Sequence, residues 1–94
     1  MDSDLLEMIE EEIQSYTDKT KIKKLLRARR TITEKTDKEC MKEFLIGSVY
    51  GSCMFLYRTF MYGQTNSDIE EEFTKTISRR IKGLNSIFVE YLEE

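Results

Sequence analysis

Histidine is absent from this 94-residue chain, which removes the commonest general base and the commonest metal ligand. The sequence also lacks a glycine-rich phosphate loop, the cysteine and histidine spacing of zinc sites, and a nucleophile with a base beside it. Acidic runs such as Glu70-Glu71-Glu72 are typical of solvated helix faces. We therefore expect a protein that is not an enzyme and that uses neither a metal nor another cofactor.

Proline and tryptophan are also absent, and only four glycines are present, so few residues interrupt regular structure. Glutamate, lysine, isoleucine and leucine are abundant, which favours long helices. The length is that of one domain, residues 1–94. These features predict an all-α fold, a small bundle of three to four helices. Its base is a long antiparallel hairpin of about residues 37–62 and 68–92, preceded by one or two shorter N-terminal helices.

Cysteine occurs only at Cys40 and Cys53, on the same predicted helix. Their spacing corresponds to roughly 20 Å along a helix, which is too far for a disulfide bond. We therefore expect reduced thiols, with Cys53 buried and Cys40 partly exposed, in an intracellular, cytoplasmic protein. The acidic start of the chain, MDSDLLEMIEEE, does not have the pattern of a signal peptide.

The apolar residues of the first third of the chain repeat at helical spacing. One amphipathic helix is predicted over about residues 4–16, and a second over about 21–32. The boundary between them is weak, with Asp18 or Thr20 as the candidate cap. A single bent helix over residues 4–32 is the alternative.

One face of the second predicted helix is basic. Lys19, Lys23, Arg27 and Arg30 follow one another at spacings that place them in a continuous stripe. Such a stripe is typical of a contact with phosphate or with an acidic partner, or, more commonly, of a solvated face beside an acidic helix. No aromatic residue is interleaved with these cations, so bases would have no platform on which to stack.

The most apolar stretch runs from Glu43 to Gly63 and forms the centre of the predicted third helix. Thr36 with Glu39 makes a capping box at the start of this helix, and Gly63 is expected to end it. The stretch is about long enough to cross a bilayer. Because Arg58 and three tyrosines lie within it, we expect no membrane span.

The third and fourth predicted helices form the hairpin. A second capping box, Ser67 with Glu70, starts the fourth helix, and the short link requires antiparallel packing. Equal rise along both helices places Gly47 opposite Gly83, so we expect a close crossing there. The residues predicted to line this crossing or an interface are Gly47, Gly51, Gly83, Tyr50 and Tyr57.

Three arginines project from otherwise apolar or glycine-lined faces. Arg29 lies in the middle of the apolar face of the second helix. The hairpin register places Arg58 level with Glu72, and Arg80 level with Tyr50 and its glycine neighbour. Such arginines either bind an anion, such as a nucleotide, a phosphate or a partner's carboxylate, or form structural ion pairs. The ion pairs are the commoner arrangement.

Two hypotheses about function follow. The first is a non-enzymatic helical protein that binds another protein, as a regulator, inhibitor, immunity protein or adaptor. We expect it to be a homodimer, because its central helix is apolar over more than half its circumference. The alternative is a small nucleic-acid or nucleotide binder, which the net charge of −3 makes the second choice. The candidate partner or anion contacts are Lys23, Arg27, Arg30, Arg29, Arg58 and Arg80.

Overall fold

The computed structural model describes residues 2–93, and within them all regular structure is helical. In chain order the helices are α1 (Ser3–Ser15), α2 (Lys19–Ile32), α3 (Lys38–Met61), α4 (Ser67–Lys82) and α5 (Asn85–Leu92). They pack against each other as a small bundle, which confirms the predicted fold class. The described part of the chain has one helix more than predicted, because the predicted fourth helix is divided in two.

The first two helices are separate, so the single bent helix does not form. α1 begins after Asp2, whose carboxylate accepts hydrogen bonds from the backbone amides of Asp4 (2.8 Å) and Leu5 (3.3 Å). α2 begins after Asp18, whose carboxylate accepts a bond from the amide of Thr20 at 2.9 Å. A carboxylate at these positions pairs with amides that have no partner inside the helix, and it complements the helix dipole.

α3 begins one residue later, and α4 one residue earlier, than the predicted capping boxes require. Asp37, rather than Thr36, caps α3 and accepts a hydrogen bond from the amide three residues further on, at 3.0 Å. Asn66, rather than Ser67, caps α4 in the same way, at 3.0 Å. Aspartate is the better cap at the first position, and at the second the Glu70 side chain is engaged by an arginine of α3.

The prediction of one continuous helix over residues 68–92 is wrong. The backbone of Gly83 and Leu84 stays right-handed, with φ of −61° and −82°, but the amide of Leu84 bonds to the carbonyl of Ile81 three residues back. This tighter turn separates α4 from α5. Ile81 before the break, Leu84 within it and Phe88 after it are all buried. The apolar spacing therefore continues through the turn and does not reveal it.

α3 is the axis of the bundle, because the other helices pack chiefly on it. α2 and α5 contact its N-terminal half, whereas α1 and α4 flank its C-terminal half. Within residues 2–93 no helix combines the length and the apolar character needed to cross a membrane. The buried face of α3 consists of Met41, Leu45, Val49, Cys53, Met54 and Tyr57.

α3 ends in a left-handed turn. Tyr62 has φ 51° and ψ 41°, and Gly63, which was expected to end the helix, has φ 77°. Glycine adopts this conformation readily, whereas a tyrosine in it is strained. The Tyr62 side chain is 89% exposed, so little packing offsets the strain.

Candidate functional site

An apolar groove lies over the C-terminal end of α3, between the N-terminal parts of α1 and α4. Its volume is about 560 Å³. Groove-shaped concavities of this size with largely apolar walls are typical of binding sites. The apolar side chains that line it are Leu5, Tyr57, Phe60, Met61, Ile69 and Phe73.

The floor of the groove is built from buried side chains of three helices. The rings of Tyr57 and Phe73 are stacked, with centroids 4.1 Å apart and planes 18° from parallel. Both residues are almost fully buried, as is Leu5. Stacking fixes the orientation of the two rings and adds to the stability gained from burial alone. The floor is therefore a rigid part of the core.

Three further apolar side chains stand at the open side of the groove. Phe60 and Met61 are half-buried at the end of α3, and Ile69 is 38% exposed in the first turn of α4. A flexible methionine beside an aromatic ring can adjust to different apolar shapes. These side chains present apolar surface that residues 2–93 leave accessible.

The charged side chains that line the groove, within the described residues, are all acidic: Asp2, Asp68 and Glu72. Asp2 also caps α1. Glu72 lies 3.6 Å from Lys75 on the same helix, but both of these side chains are largely exposed. An exposed pair of this kind contributes little and leaves the carboxylate available to another cation. The groove is apolar inside and negative at its edge.

An ion pair distant from the groove joins α1 to α4. Arg80, near the end of α4, pairs with Glu10 in the second half of α1. This ion pair links two helices that otherwise make few contacts with each other, and the groove lies between their N-terminal parts. The predicted position of Arg80 beside Tyr50 is wrong, because Arg80 turns toward α1. The hydroxyl of Tyr50 instead shares a 3.0 Å hydrogen bond with Thr74.

The three inward arginines do not converge on one site. Arg58 donates two hydrogen bonds to one carboxylate oxygen of Glu70, from Nη2 at 2.6 Å and from Nε at 3.2 Å. The predicted partner was Glu72, two residues further along α4, which faces the groove instead. The hydrogen bonds from Arg58 lower the pKa of Glu70 below its ordinary value. Arg58 and Arg80 are therefore in ion pairs, the commoner of the two predicted arrangements.

Arg29 packs on an aromatic ring. Its guanidinium carbon lies 5.3 Å from the centre of the Phe44 ring of α3. Its buried Nε has no hydrogen-bond partner among the described residues. Arg29 is half-buried, which agrees with the prediction that it lies in the apolar face of α2. A cation over an aromatic face stabilises such a guanidinium without a carboxylate.

The predicted crossing of Gly47 on Gly83 is wrong. A Cβ atom added at Gly47 or Gly51 would meet nothing within 4 Å, and both residues are exposed. The equal-rise register fails because α4 ends at Gly83, where an added Cβ would lie 3.2 Å from the carbonyl oxygen of Arg80. Phe55, one turn beyond Gly51, is 69% exposed. We refer to Gly47, Gly51 and Phe55 as the glycine face.

The outer surface of α2 is basic, as the sequence predicts. Lys23, Lys24, Arg27 and Arg30 are exposed, and their charged groups have no ion-pair partner among the described residues. α2 itself contains no acidic residue. We refer to these four residues as the basic face. None of these four residues lines the groove over the end of α3.

Neither cysteine has the environment of a reactive thiol. Burial raises the pKa of Cys53 to about 11, and a hydrogen bond with Asp37 raises the pKa of Cys40. Because the thiolate is the nucleophile, both groups are mainly unreactive at neutral pH. As predicted, Cys53 is buried and Cys40 is partly exposed, and both are free. Within residues 2–93 no cluster of acidic or cysteine side chains is arranged to hold a metal ion.

The sequence does not reveal the groove, because its lining residues have the spacing of ordinary core residues. The one available signal was the concentration of apolar side chains on both sides of the α3–α4 turn, at Phe60, Met61 and Ile69. No protein-family model, curated protein or solved structure matches this chain.

Proposed function

We propose that this protein is a non-enzymatic module that binds another protein through the groove between α1, α3 and α4. One observation supports this proposal: three apolar side chains are accessible above a rigid aromatic floor, namely Phe60, Met61 and Ile69. Covering apolar surface is favourable by about 25 cal/mol per Å². A partner that filled the groove would thus gain binding free energy from the burial of each of these three side chains. The corresponding roles are those of a regulator, inhibitor, immunity protein or adaptor.

Site-specific photo-crosslinking in cells of the source organism tests this proposal. A benzophenone amino acid in place of Ile69 should form discrete adducts with a small number of proteins. The same amino acid in place of Val89 is the matched control, because Val89 is 41% exposed and lies on α5, at the other end of α3. Equal adduct patterns at the two positions, or no adduct at position 69, would contradict the proposal.

Nucleic-acid or nucleotide binding is the second candidate, and the unpaired cations of the basic face favour it. Binding through this face would weaken steeply with salt, because each phosphate contact releases counterions. Changing Lys23, Arg27 and Arg30 together to glutamine should then reduce the slope of log K against log salt by about three for duplex DNA. Fluorescence anisotropy with labelled DNA and RNA measures this slope.

The control for that experiment removes three cations elsewhere. Lys75, Arg79 and Lys82 on α4, each changed to glutamine, alter the net charge by the same amount. A protein without nucleic-acid function should show weak binding that the two triple variants reduce alike. Loss of binding in the α2 variant alone would raise this candidate above the groove.

We also propose that the protein self-associates and acts inside the cell. The exposed glycine face, with Phe55 beside open glycines, is the surface that supports a homodimer. The two free cysteines on α3 support an intracellular location. Light scattering over micromolar concentrations tests the oligomeric state, and a constant monomer mass would remove the homodimer.

A further inference from the structure

We infer that the partner segment held in the groove is a cationic amphipathic helix, with apolar residues on one side and lysine or arginine along its edges. This inference rests on the proposed protein-binding function and adds the chemistry of the partner. It follows from the shape of the groove and from the sign of the charge at its rim.

The shape of the groove matches a short helix. α1 and α4 form its two walls, and the end of α3 forms its floor. The wall from α4 extends over residues 68–76, which is about 12 Å of helical rise. A helix laid between α1 and α4 would pack on the C-terminal half of α3, the half that α2 and α5 do not cover. Helices bind in such grooves through apolar residues at i, i+3 or i+4, and i+7.

The charge of the rim selects cations on the partner. Asp2 stands on the α1 wall, and Asp68 and Glu72 stand on the α4 wall, so carboxylates lie on both sides of the groove. Lysine and arginine side chains at the edges of a bound helix would face them, while acidic side chains would be repelled. Arg58, the nearest arginine of α3, is engaged by Glu70 on the other side of α4 and does not neutralise this rim.

A second copy of this chain does not have the required chemistry. Its one strongly basic helix, α2, has its apolar residues Ile22 and Leu26 buried in its own core. Ile32, at the C-terminal end of α2, is the exposed large apolar side chain of this helix, so the basic face could bring only that one anchor to the floor. The net charge of −3 also disfavours self-association through an acidic surface.

Three synthetic helical peptides of roughly 16 residues provide the test. They share leucines at i, i+3, i+4 and i+7 on an alanine background, and their flanking positions hold lysine, glutamate or glutamine. Fluorescence anisotropy with the full chain measures each affinity. We expect the lysine peptide to bind about tenfold more tightly than the glutamate peptide, with the glutamine peptide between them. Salt should reduce this preference, because the rim charges are exposed.

Charge reversal in the groove should reverse the order of the peptides. In a variant with Asp68→Lys and Glu72→Lys, the glutamate peptide should bind more tightly than the lysine peptide. The matched control is Glu43→Lys with Glu90→Lys, which makes the same change in net charge at two exposed positions outside the groove. The control should keep the wild-type order. Asp68→Asn with Glu72→Gln perturbs α4 less and should reduce the preference to what Asp2 alone provides, so the test does not depend on the folding of the reversed variant.

Several results would overturn the inference. Equal binding of the lysine and glutamine peptides would show that the groove binds helices without selecting cations, and would leave the proposed function standing. A reversed order in the control variant would trace the preference to net charge alone. Binding of none of the peptides would reject a helical partner, while the crosslinks at position 69 would still judge the proposed function separately. Dimers that dissociate on reversal of Asp68 and Glu72 would identify a second copy as the occupant.

Discussion

The groove and the glycine face lie on the same helix, α3, and offer a partner opposite physical properties. The groove has large apolar side chains, such as Tyr57 and Phe60, between two helical walls. The glycine face has Gly47 and Gly51 with no atom within 4 Å of an added Cβ, and one exposed ring, Phe55. Small residues allow two helices to pack closely, but only where a second helix is present. A hollow of about 490 Å³ beside α1 does include Gly51 and Phe55, but the groove is the site where neighbouring helices separate over large side chains.

A phenylalanine-to-alanine substitution on each surface should give the largest difference in the free energy of unfolding. Phe73→Ala removes a buried ring that stacks on Tyr57, so we expect a loss of about 3–5 kcal/mol in the free energy of unfolding. Phe55→Ala removes a ring that is 69% exposed and should change this free energy by less than about 0.5 kcal/mol. Urea denaturation followed by circular dichroism measures both. Similar losses for the two variants would mean that the glycine face is covered, for example by a second copy.

Substitution of either open glycine by alanine should increase the stability of the protein. Gly47→Ala and Gly51→Ala each remove the helix penalty of glycine, about 1 kcal/mol, and the new methyl group meets no other atom. In a domain of this size that gain corresponds to a rise of about 4–8 °C in Tm for each substitution. Thermal melts at several protein concentrations measure the effect.

Gly83→Ala is the internal control for these substitutions. Its new methyl group would lie 3.2 Å from the carbonyl oxygen of Arg80, so the tight contact offsets the gain in helix propensity. We expect little change in Tm for this variant. A fall in Tm for Gly47→Ala that grows with protein concentration would indicate that the glycine face packs against another chain.

The sequence predicts the elements of this fold well and their mutual positions poorly. The buried positions of α4 follow directly from apolar spacing, and Asp18 is one of the two candidate caps that residue type allows for α2. In α3 apolar residues surround most of the helix, so spacing alone does not separate buried Leu45 from exposed Tyr50. The register of Gly47 on Gly83 fails because it depends on where α4 ends, and the turn at Gly83 and Leu84 leaves the apolar spacing unchanged.

The groove could not be predicted for a related reason. Leu5, Tyr57 and Phe73 are core residues by every local criterion, and they line a groove only because α1 and α4 separate there. The ion pair of Arg80 with Glu10, which joins these helices further along, depends on a crossing of elements distant in sequence. Periodicity reports which side of a helix is apolar, and it carries no information about the distance between two neighbouring helices.

The turn between α3 and α4, next to the groove, contains a strained residue. Tyr62 holds the left-handed conformation that glycine adopts at lower cost, and its side chain is almost fully exposed. Tyr62→Gly should therefore raise the free energy of unfolding by roughly 0.5–1 kcal/mol, after the loss of chain entropy by glycine is included. Gly63→Ala, with φ of 77° at the next position, should have the opposite sign. Stabilisation by both substitutions would contradict a left-handed turn at this point.

The smallest expected effect concerns the ion pair on the side of α4 away from the groove. Hydrogen bonds from Arg58 lower the pKa of Glu70 in the folded protein, while in the unfolded chain it has the ordinary value of about 4.3. A carboxyl group with a lowered folded pKa stabilises the protein above its unfolded pKa, and this contribution is lost as the pH falls through the folded value. Wild type should therefore be slightly more stable than Glu70→Gln above about pH 5, and the difference should vanish under more acidic conditions. Chemical denaturation at a series of pH values measures this difference.

Glu90→Gln is the control, because Glu90 has no ion-pair partner among residues 2–93. The stability difference between this variant and wild type should not follow the same pH dependence. If the stability difference between wild type and Glu70→Gln stays constant with pH, Arg58 does not hold this carboxylate in solution.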